Sequence, residues 1–280
     1  MRLPEWIRTR NLPDSHDIKH LLRRHKLSTV CEEARCPNRG ECFAKPTATF
    51  MVLGPGCTRN CGFCSVESFS TAKVNEEEPE NVAEAAYEMK LKYIVITSVT
   101  RDDLPDGGAG QFANTINAIR RRMPMTKIEV LTPDFQGDIN SIKTVLDAGP
   151  DVFNHNVETA ERLYPVVRPS AKYDRSLSVL RQAKAMSPHI FTKSGFMLGL
   201  GESYDEAITI LKDLRKVDCD FVTIGQYLRP TKKNLPVVKY ILPEVFEDLR
   251  LKALDMGFKY AASGPLVRSS MNAEEMYGHV

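Results

Sequence analysis

The chain has 280 residues, of which 42% are hydrophobic and 26% charged, and its formal net charge is +2. This composition is ordinary for a globular protein and excludes a disordered or low-complexity chain. The net charge is near neutral, and the chain lacks the long arrays of Lys and Arg that binding along a phosphate backbone requires. We therefore expect no nucleic-acid partner.

The first ten residues contain no apolar stretch of the kind that a signal peptide needs. No segment approaches the roughly 20 apolar residues of a membrane-spanning helix, so we expect no membrane partner. Six of the seven cysteines lie between residues 31 and 64. We therefore predict a cytoplasmic, reducing location, where crowded cysteines bind metal rather than form disulfides. The seventh, Cys219, has apolar neighbours and is predicted to be a buried free thiol.

From residue 48 onward, short runs rich in Ile and Val alternate with amphipathic stretches. The predicted strands cover 49–53, 93–97, 127–131, 151–155, 191–198 and 221–225. The predicted helices cover 81–91, 111–122, 139–148, 175–186 and 204–217, with Asn81 and Ser203 as N-caps of two of them. Strands that are each followed by a helix predict right-handed βαβ units and a parallel sheet.

Six such units are too few for a closed eight-stranded barrel. The remaining α/β alternatives are a partial (β/α)6 barrel and an open doubly wound sheet, and both place chemistry at the C-terminal ends of the strands. The segments after the predicted strands are indeed the polar, Gly-rich and Cys-rich parts of the chain. Residues 1–47 and 258–280 do not fit the βα pattern, which predicts an N-terminal extension, a barrel over 48–257 and a C-terminal tail.

The first cysteine cluster follows the first predicted strand, with Cys57, Cys61 and Cys64 in a C-x3-C-x2-C spacing. Three closely spaced thiolates can hold three irons of a [4Fe–4S] cube and leave the fourth iron open. A structural zinc site is the main alternative, but it usually has four closed ligands, and no nearby His completes the set. A thioredoxin-like pair would leave Cys57 without a role.

This spacing, with an aromatic residue such as Phe63 before the last cysteine, resembles the radical S-adenosylmethionine superfamily. The resemblance implies the partial barrel and a cluster whose open iron chelates S-adenosylmethionine. It also implies that one electron splits the sulfonium, and that a 5′-deoxyadenosyl radical then abstracts hydrogen from an unactivated carbon. The protein supplies orientation and exclusion of water.

A second trio, Cys31, Cys36 and Cys42, has a C-x4-C-x5-C spacing, for which a structural metal clip is an alternative. The two trios together with the tail stretch 268–270 (Arg-Ser-Ser) resemble the lipoyl synthase family over nearly the whole chain. Further stretches that match this family are 48–51, 97–108, 154–158, 167–173 and 226–231. The family usually has Tyr after the two serines, where this chain has Met271.

The lipoyl synthase resemblance implies insertion of two sulfurs, at C6 and C8 of an octanoyl chain carried on a protein lysine. It implies an auxiliary [4Fe–4S] cluster, consumed as sulfur donor, on the second cysteine trio, with Ser270 favoured over Ser269 as the fourth ligand. The implied partners are octanoylated lipoyl carrier domains (2-oxoacid dehydrogenase E2 subunits and the glycine cleavage H protein) and an electron donor such as ferredoxin or flavodoxin. The cationic segment 229–233 is a candidate contact for an acidic carrier.

Polar residues at the predicted strand ends are candidates for holding S-adenosylmethionine, although such residues also cap neighbouring helices. Thr97 and Ser98 match the position that binds the methionine amine. Asn154, Asn156 and Glu158 suit ribose hydroxyls, and Arg168 suits the methionine carboxylate as a bidentate fork.

Two competing functions remain open from the sequence. The first is another sulfur-inserting radical enzyme, similar to biotin synthase or a methylthiotransferase, which shares the first cysteine motif but differs in the ligands of the second cluster. The second is a two-cluster electron carrier, although carriers of that kind normally close every iron with four cysteines.

Overall fold

The structure is a computed structural model that describes residues 3–7, 16–44, 49–68, 71 and 73–278. The chain divides into two compact units. We call residues 10–59 and 65–153 the N-terminal unit, and residues 1–9, 60–64 and 154–280 the C-terminal unit. Within the described residues, no helix is both long enough and apolar enough to cross a membrane.

Among its described residues, the N-terminal unit contains six α-helices and seven strands, the last of which ends on Asn154, the first residue of the third segment of the C-terminal unit. Its helices are α1 His16–Arg24, α2 Val30–Glu33, α3 Arg39–Ala44, α4 Glu78–Glu88, α5 Ala109–Arg122 and α6 Ile139–Asp147. Its strands are β1 Ser28–Thr29, β2 Thr49–Val52, β3 Gly56–Cys57, β4 Glu67–Ser68, β5 Tyr93–Ser98, β6 Lys127–Leu131 and β7 Val152–Asn154.

Strands β2, β5 and β6 are neighbours and run parallel, while β1 pairs with β2 in the antiparallel direction. Helix α5 packs against both α4 and α6. The centres of β5 and β6 are buried, as Ile96 and Val130 show, because a parallel sheet is covered on its faces. Strands β3 and β4 form a separate parallel pair.

The C-terminal unit contains three parallel strands in the order β8, β9 and β10. These strands are β8 Phe191–Leu198, β9 Phe221–Gln226 and β10 Tyr260–Gly264. Its helices are α7 Tyr164–Val167, α8 Tyr173–Met186, α9 Tyr204–Lys216, α10 Pro243–Asp255 and α11 Ala273–Gly278. Apolar side chains of α8, α9 and α10 share one core with the strands, and Cys219 is fully buried in it, as predicted.

All six predicted strands are present, with bounds within two residues of the prediction. The N-cap assigned to Asn81 is wrong, because α4 begins at Glu78 with Pro79 in its first turn, where a missing N–H costs nothing. The tail contains the additional strand β10, which the sequence analysis did not predict. The division into an extension, a barrel and a tail stays a prediction, and its first boundary, after residue 47, lies outside the described residues.

The predicted cap at Ser203 is confirmed as a reciprocal capping box at the start of α9. The Ser203 hydroxyl accepts the Glu206 N–H at 3.1 Å, and the Glu206 carboxylate accepts the Ser203 N–H at 2.8 Å. We expect Ser203→Ala to lower the free energy of unfolding by about 1 kcal/mol, because it leaves a helix N–H without a partner. Thermal or urea unfolding measures this change. Thr209→Ala in the same helix is the control, and an equal loss there would contradict the role of the cap.

Candidate active site

The first cysteine motif runs from the N-terminal unit into the C-terminal unit, with Cys57 in the former and Cys61 and Cys64 in the latter. All six clustered cysteines are free thiols. Cys57 ends the short strand β3, and its sulfur accepts the N–H of Arg59 at 3.4 Å. The backbone N–H and the hydroxyl of Thr58 both donate to the carbonyl of Thr100, at 2.9 and 3.0 Å, which fixes the backbone beside Cys57.

Arg59, inside the cysteine motif, forms a buried ion-pair network that the sequence analysis did not predict. Its guanidinium donates to both oxygens of Asp102, at 2.6 and 2.8 Å. It also donates to both oxygens of Asp134, at 2.7 and 3.1 Å. Burial lowers the pKa of Arg59, but the hydrogen bonds to the two carboxylates outweigh burial and leave it raised. The network therefore fastens the motif to the segments that follow β5 and β6.

The other part of the motif, Gly62–Cys64, is fastened by hydrogen bonds within the C-terminal unit. The Gly62 N–H donates to Val167, and the Gly62 carbonyl accepts the N–H of Leu235, both at 2.9 Å. The amide of Asn234 donates to the carbonyl of Cys64 at 2.6 Å. A Cβ on residue 62 would lie 2.7 Å from the Leu235 side chain and 3.2 Å from the Val166 carbonyl oxygen, so a larger residue would require Leu235 to shift.

Phe63, the aromatic residue before the last cysteine of the first motif, packs into a small apolar cluster of the C-terminal unit. The cluster is centred on buried side chains of Val167, Leu200 and Tyr227. Leu235 also packs there. The ring of Phe63 is only partly buried and anchors the chain between Cys61 and Cys64.

Asn156 and Glu158 lie together after β7. Both are candidates for ribose recognition in the sequence analysis, and that role stays a prediction. The Asn156 amide donates to the Glu158 carboxylate at 3.1 Å. Glu158 has a left-handed backbone, with φ of +67°, held by backbone hydrogen bonds to Gly195 and Met197 of β8. Burial raises the pKa of Glu158, and the charge of Arg168 and the Asn156 hydrogen bond only partly oppose it. A side chain held in this strained conformation is typical of a functional site.

Arg168 is almost fully buried, at 9% exposed, and sits against the same segment. One of its terminal nitrogens donates to the carbonyl of Asn156 and to the hydroxyl of Tyr164, both at 3.1 Å. Its Nε is buried and has no hydrogen-bond partner among the described residues. Burial lowers the pKa of Arg168, but the nearby Tyr164, Glu158 and Cys61 raise it by more. Arg168 is therefore positively charged, and Cys61 of the first motif is close enough to interact with that charge.

The remaining candidates lie at the strand ends where they were predicted. Asn154 is fully buried at the end of β7. In the N-terminal unit, the Thr97 hydroxyl donates to the carbonyl of Leu131 at 3.0 Å, and this hydrogen bond joins β5 to β6. The hydroxyl of Ser98 is buried and has no partner in the part of the chain that the structure describes. An unpartnered buried hydroxyl at a strand end fits a polar ligand.

The second trio is gathered around Cys31, which is buried in α2. Burial, followed by the nearby Cys36 and then Cys42, raises the pKa of the Cys31 thiol to about 12. Cys36 and Cys42 both lie near enough to Cys31 to affect it, and three neighbouring thiols are the ligand type of an iron–sulfur cluster. Among the described residues, no group of three or more His, Cys, Asp or Glu is arranged to hold a metal ion.

The tail segment Val267–Ser269 lies directly on two glycines of the parallel strands in the C-terminal unit. A Cβ on Gly225 of β9 would lie 2.3 Å from the carbonyl oxygen of Val267, and one on Gly195 of β8 would lie 3.0 Å from the Ser269 hydroxyl. The Ser269 hydroxyl also hydrogen-bonds with the amide of Asn156, at 2.8 and 3.1 Å. The adjacent Ser270 is partly exposed and makes no hydrogen bond to any described residue.

Comparison with known proteins matches this arrangement to one class of enzyme. The sequence profile of the Radical SAM superfamily matches residues 51–214. The crystal structure of methylornithine synthase (PylB) superposes with a TM-score of 0.52 and 14% identity, over 93% of this chain and 83% of that protein. HydG, a maturase of the [FeFe]-hydrogenase, superposes with a TM-score of 0.60 and 14% identity, over 90% of this chain and 56% of that protein. The protein is therefore a radical S-adenosylmethionine enzyme, and the predicted partial-barrel class is confirmed.

Closer relatives identify the family within this superfamily. A lipoyl synthase of Caldicellulosiruptor bescii is 54% identical over 98% of this chain and 95% of the relative. A lipoyl synthase of Rubrobacter xylanophilus is 55% identical over 97% of this chain and 85% of the relative. The chain belongs to the lipoyl synthase family. Membership of the superfamily implies a [4Fe–4S] cluster and S-adenosylmethionine as cofactors, and the residues around Cys61 and Arg168 fit them.

Proposed function

We propose that this enzyme inserts two sulfur atoms, at C6 and C8, into an octanoyl chain carried on a lysine of a carrier protein. The observation that carries the proposal is the second cysteine trio, gathered around the buried Cys31, in a chain that also has the radical S-adenosylmethionine motif. A radical enzyme that only abstracts hydrogen needs one cluster. A second set of iron ligands can hold a second cluster, whose bridging sulfides are a source of sulfur.

In this proposal Cys57, Cys61 and Cys64 hold the first cluster, which when bound supplies one electron to cleave S-adenosylmethionine. Each insertion would replace one C–H bond with a C–S bond and use one S-adenosylmethionine and one external electron; the iron–sulfur bonds of one sulfide would break, and the irons left behind would take up one electron. The hydrogen leaves on 5′-deoxyadenosine, and methionine is released.

The chain's own polar groups orient the cofactor in this scheme. Asn156 and Glu158 receive the ribose hydroxyls. The methionine carboxylate pairs with Arg168, whose Nε has no hydrogen-bond partner among the described residues. We assign the methionine amine to Ser98 and the neighbouring Thr97. The buried hydroxyl of Ser98, which has no hydrogen-bond partner among the described residues, supports this assignment. Asn154 joins Asn156 and Glu158 in the set assigned to the ribose hydroxyls.

We assign Cys31, Cys36, Cys42 and Ser270 to the auxiliary [4Fe–4S] cluster. Hydroxyl oxygen is a harder ligand than thiolate and suits iron–sulfur chemistry less well, so an iron held by serine is the one most easily released when sulfide is withdrawn. Ser269, in contrast, is engaged with Asn156 and serves to seat the tail. This division of roles supports the choice of Ser270 over Ser269.

The substrates of this scheme are octanoylated carrier domains of the kind found in 2-oxoacid dehydrogenase E2 subunits and the glycine cleavage H protein. A ferredoxin or flavodoxin is the expected electron donor. These partners follow from the proposed reaction, which needs a tethered octanoyl chain and single low-potential electrons.

The test compares Ser270→Ala with the wild-type chain after anaerobic reconstitution. Two cubes predict about eight irons per wild-type chain. The Ser270→Ala variant is expected to keep reductive cleavage of S-adenosylmethionine, measured as 5′-deoxyadenosine, but to lose most of the doubly thiolated product, measured by mass spectrometry of an octanoylated carrier.

Cys61→Ala is the reference variant, expected to abolish 5′-deoxyadenosine. Wild-type yield of doubly thiolated product in the Ser270→Ala variant would remove this serine from the mechanism. A wild-type chain that binds two clusters but does not respond spectroscopically to S-adenosylmethionine would instead indicate an electron carrier.

A further inference from the structure

A stretch of the C-terminal unit carries positive charge without any acidic residue. No Asp or Glu occurs between Asp220 and Glu244, whereas Arg229, Lys232, Lys233 and Lys239 all lie in that interval. All four basic side chains are exposed. None of the three lysines forms an ion pair with another described residue, unlike exposed bases elsewhere, such as Arg162 with Glu206 or Arg250 with Glu247.

The part of this stretch that holds two of the lysines is a preformed turn, residues 229–235, which we call the basic turn. Arg229 donates to the carbonyls of Lys232 and Asn234, the latter at 2.7 Å. The Thr231 hydroxyl donates to the side chain of Asn234 at 2.7 Å, and the Asn234 N–H donates back to Thr231 at 3.2 Å. Arg229 is thus used to hold the turn, while Lys232 and Lys233 are left to face solvent.

The inner edge of the basic turn is attached to the cysteine motif. Asn234 and Leu235 make the hydrogen bonds to Cys64 and Gly62 described above. The turn that carries the two exposed lysines is therefore hydrogen-bonded directly to the segment that ends at Cys64. A macromolecule that must deliver a lysine-borne chain to this chemistry needs a recognition surface close to the motif, and the basic turn provides one.

We propose that residues 229–239 form the docking surface for an acidic face of the carrier protein. This inference rests on the proposed function and names the surface that selects its substrate. Exposed lysines without an ion-pair partner among the described residues attract an anionic partner at range and orient it before contact. A protein partner is favoured over RNA, because four basic residues are few for phosphate tracking and the exposed members of this stretch include no aromatic residue on which bases could stack.

The test uses the full reconstituted enzyme and the double variant Lys232→Glu/Lys233→Glu. We expect its KM for an octanoylated carrier to rise on the order of tenfold at low salt, with kcat unchanged, because reversed charges slow the encounter. The KM for a short, uncharged octanoyl-lysine peptide should not change. The matched control is Lys90→Glu/Lys92→Glu, which alters net charge equally at exposed lysines of the N-terminal unit.

Direct binding, measured by fluorescence anisotropy of a labelled carrier, keeps this test separate from catalysis. Equal affinity of the carrier for the double variant and its control would overturn the docking proposal. Displacement of the carrier from the wild-type enzyme by an RNA homopolymer, lost in the double variant, would reassign the surface to nucleic acid and also overturn it. If the wild type thiolates neither carrier nor peptide, the proposed function fails, and the anisotropy comparison still decides the docking surface.

Discussion

Asp134→Ala is expected to lower the free energy of unfolding by about 3 kcal/mol, the lower end of the usual cost of removing one partner from a buried ion pair, because Asp102 still pairs with Arg59. The Asp134 carboxylate is fully buried and accepts two hydrogen bonds from Arg59. Its removal leaves a guanidinium that is only 6% exposed without those two bonds. Urea unfolding of the cluster-free chain, followed by circular dichroism, measures the change. Iron retained after reconstitution should also fall, because Arg59 lies between Cys57 and Cys61.

Two further variants separate the loss of charge from general damage. Asp134→Asn keeps the shape and one carbonyl acceptor, so its loss of stability should be smaller than that of Asp134→Ala. Arg121→Ala breaks an exposed pair with Glu80 and should change the free energy of unfolding by about 0–1 kcal/mol. If Asp134→Ala were no more harmful than Arg121→Ala, the network around Arg59 would have no structural weight.

Gly225→Ala is the second change with a large expected effect, and it acts on the tail. The added methyl group would lie 2.3 Å from the carbonyl oxygen of Val267. A backbone oxygen cannot turn away alone, as the end of a flexible side chain can, so the chain around it has to move. The segment that precedes Ser270 must therefore lift from β9. Displacement of a reacting group by about 1 Å can cost on the order of 100-fold in rate, so we expect a loss of that size in doubly thiolated product.

The measurement pairs product mass with 5′-deoxyadenosine yield, which should persist because the cysteine motif is unchanged. Gly278→Ala is the matched control, since a Cβ at that position of the same tail meets nothing within 4 Å. A Gly225→Ala enzyme with normal product yield would show that the seat of the tail on β9 does not matter for sulfur insertion.

Sequence periodicity predicted the elements whose side chains follow a regular burial pattern. Strand β5 holds the continuous apolar run Ile94–Ile96, and helix α9 carries both its cap and an amphipathic face, so local sequence was sufficient. Strand β10 was missed because its sequence, Tyr-Ala-Ala-Ser-Gly, lacks the β-branched residues typical of strands. It forms by pairing with β9, which is a tertiary effect.

The cysteine spacing is enough to propose the iron ligands, because cluster binding depends on residues close together in the chain, and that assignment stays a prediction. The contacts that fix those ligands could not be predicted in the same way. Arg59 is paired with residues 43 and 75 positions away, and Asn156 meets Ser269 across 113 positions. No local pattern encodes such pairings. The Arg inside the motif and the two consecutive aspartates at 102 and 103 were the available signals.

The left-handed backbone at Glu158 has a consequence for attempts to make this enzyme more robust. Glycine adopts that conformation without steric cost, so replacing Glu158 with glycine would relieve strain in the folded chain. A library ranked by heat resistance alone would therefore favour loss of the carboxylate that we assign to the ribose. Selection for thermal stability in this enzyme therefore has to measure activity as well. Otherwise it will enrich well-folded variants that no longer bind their cofactor.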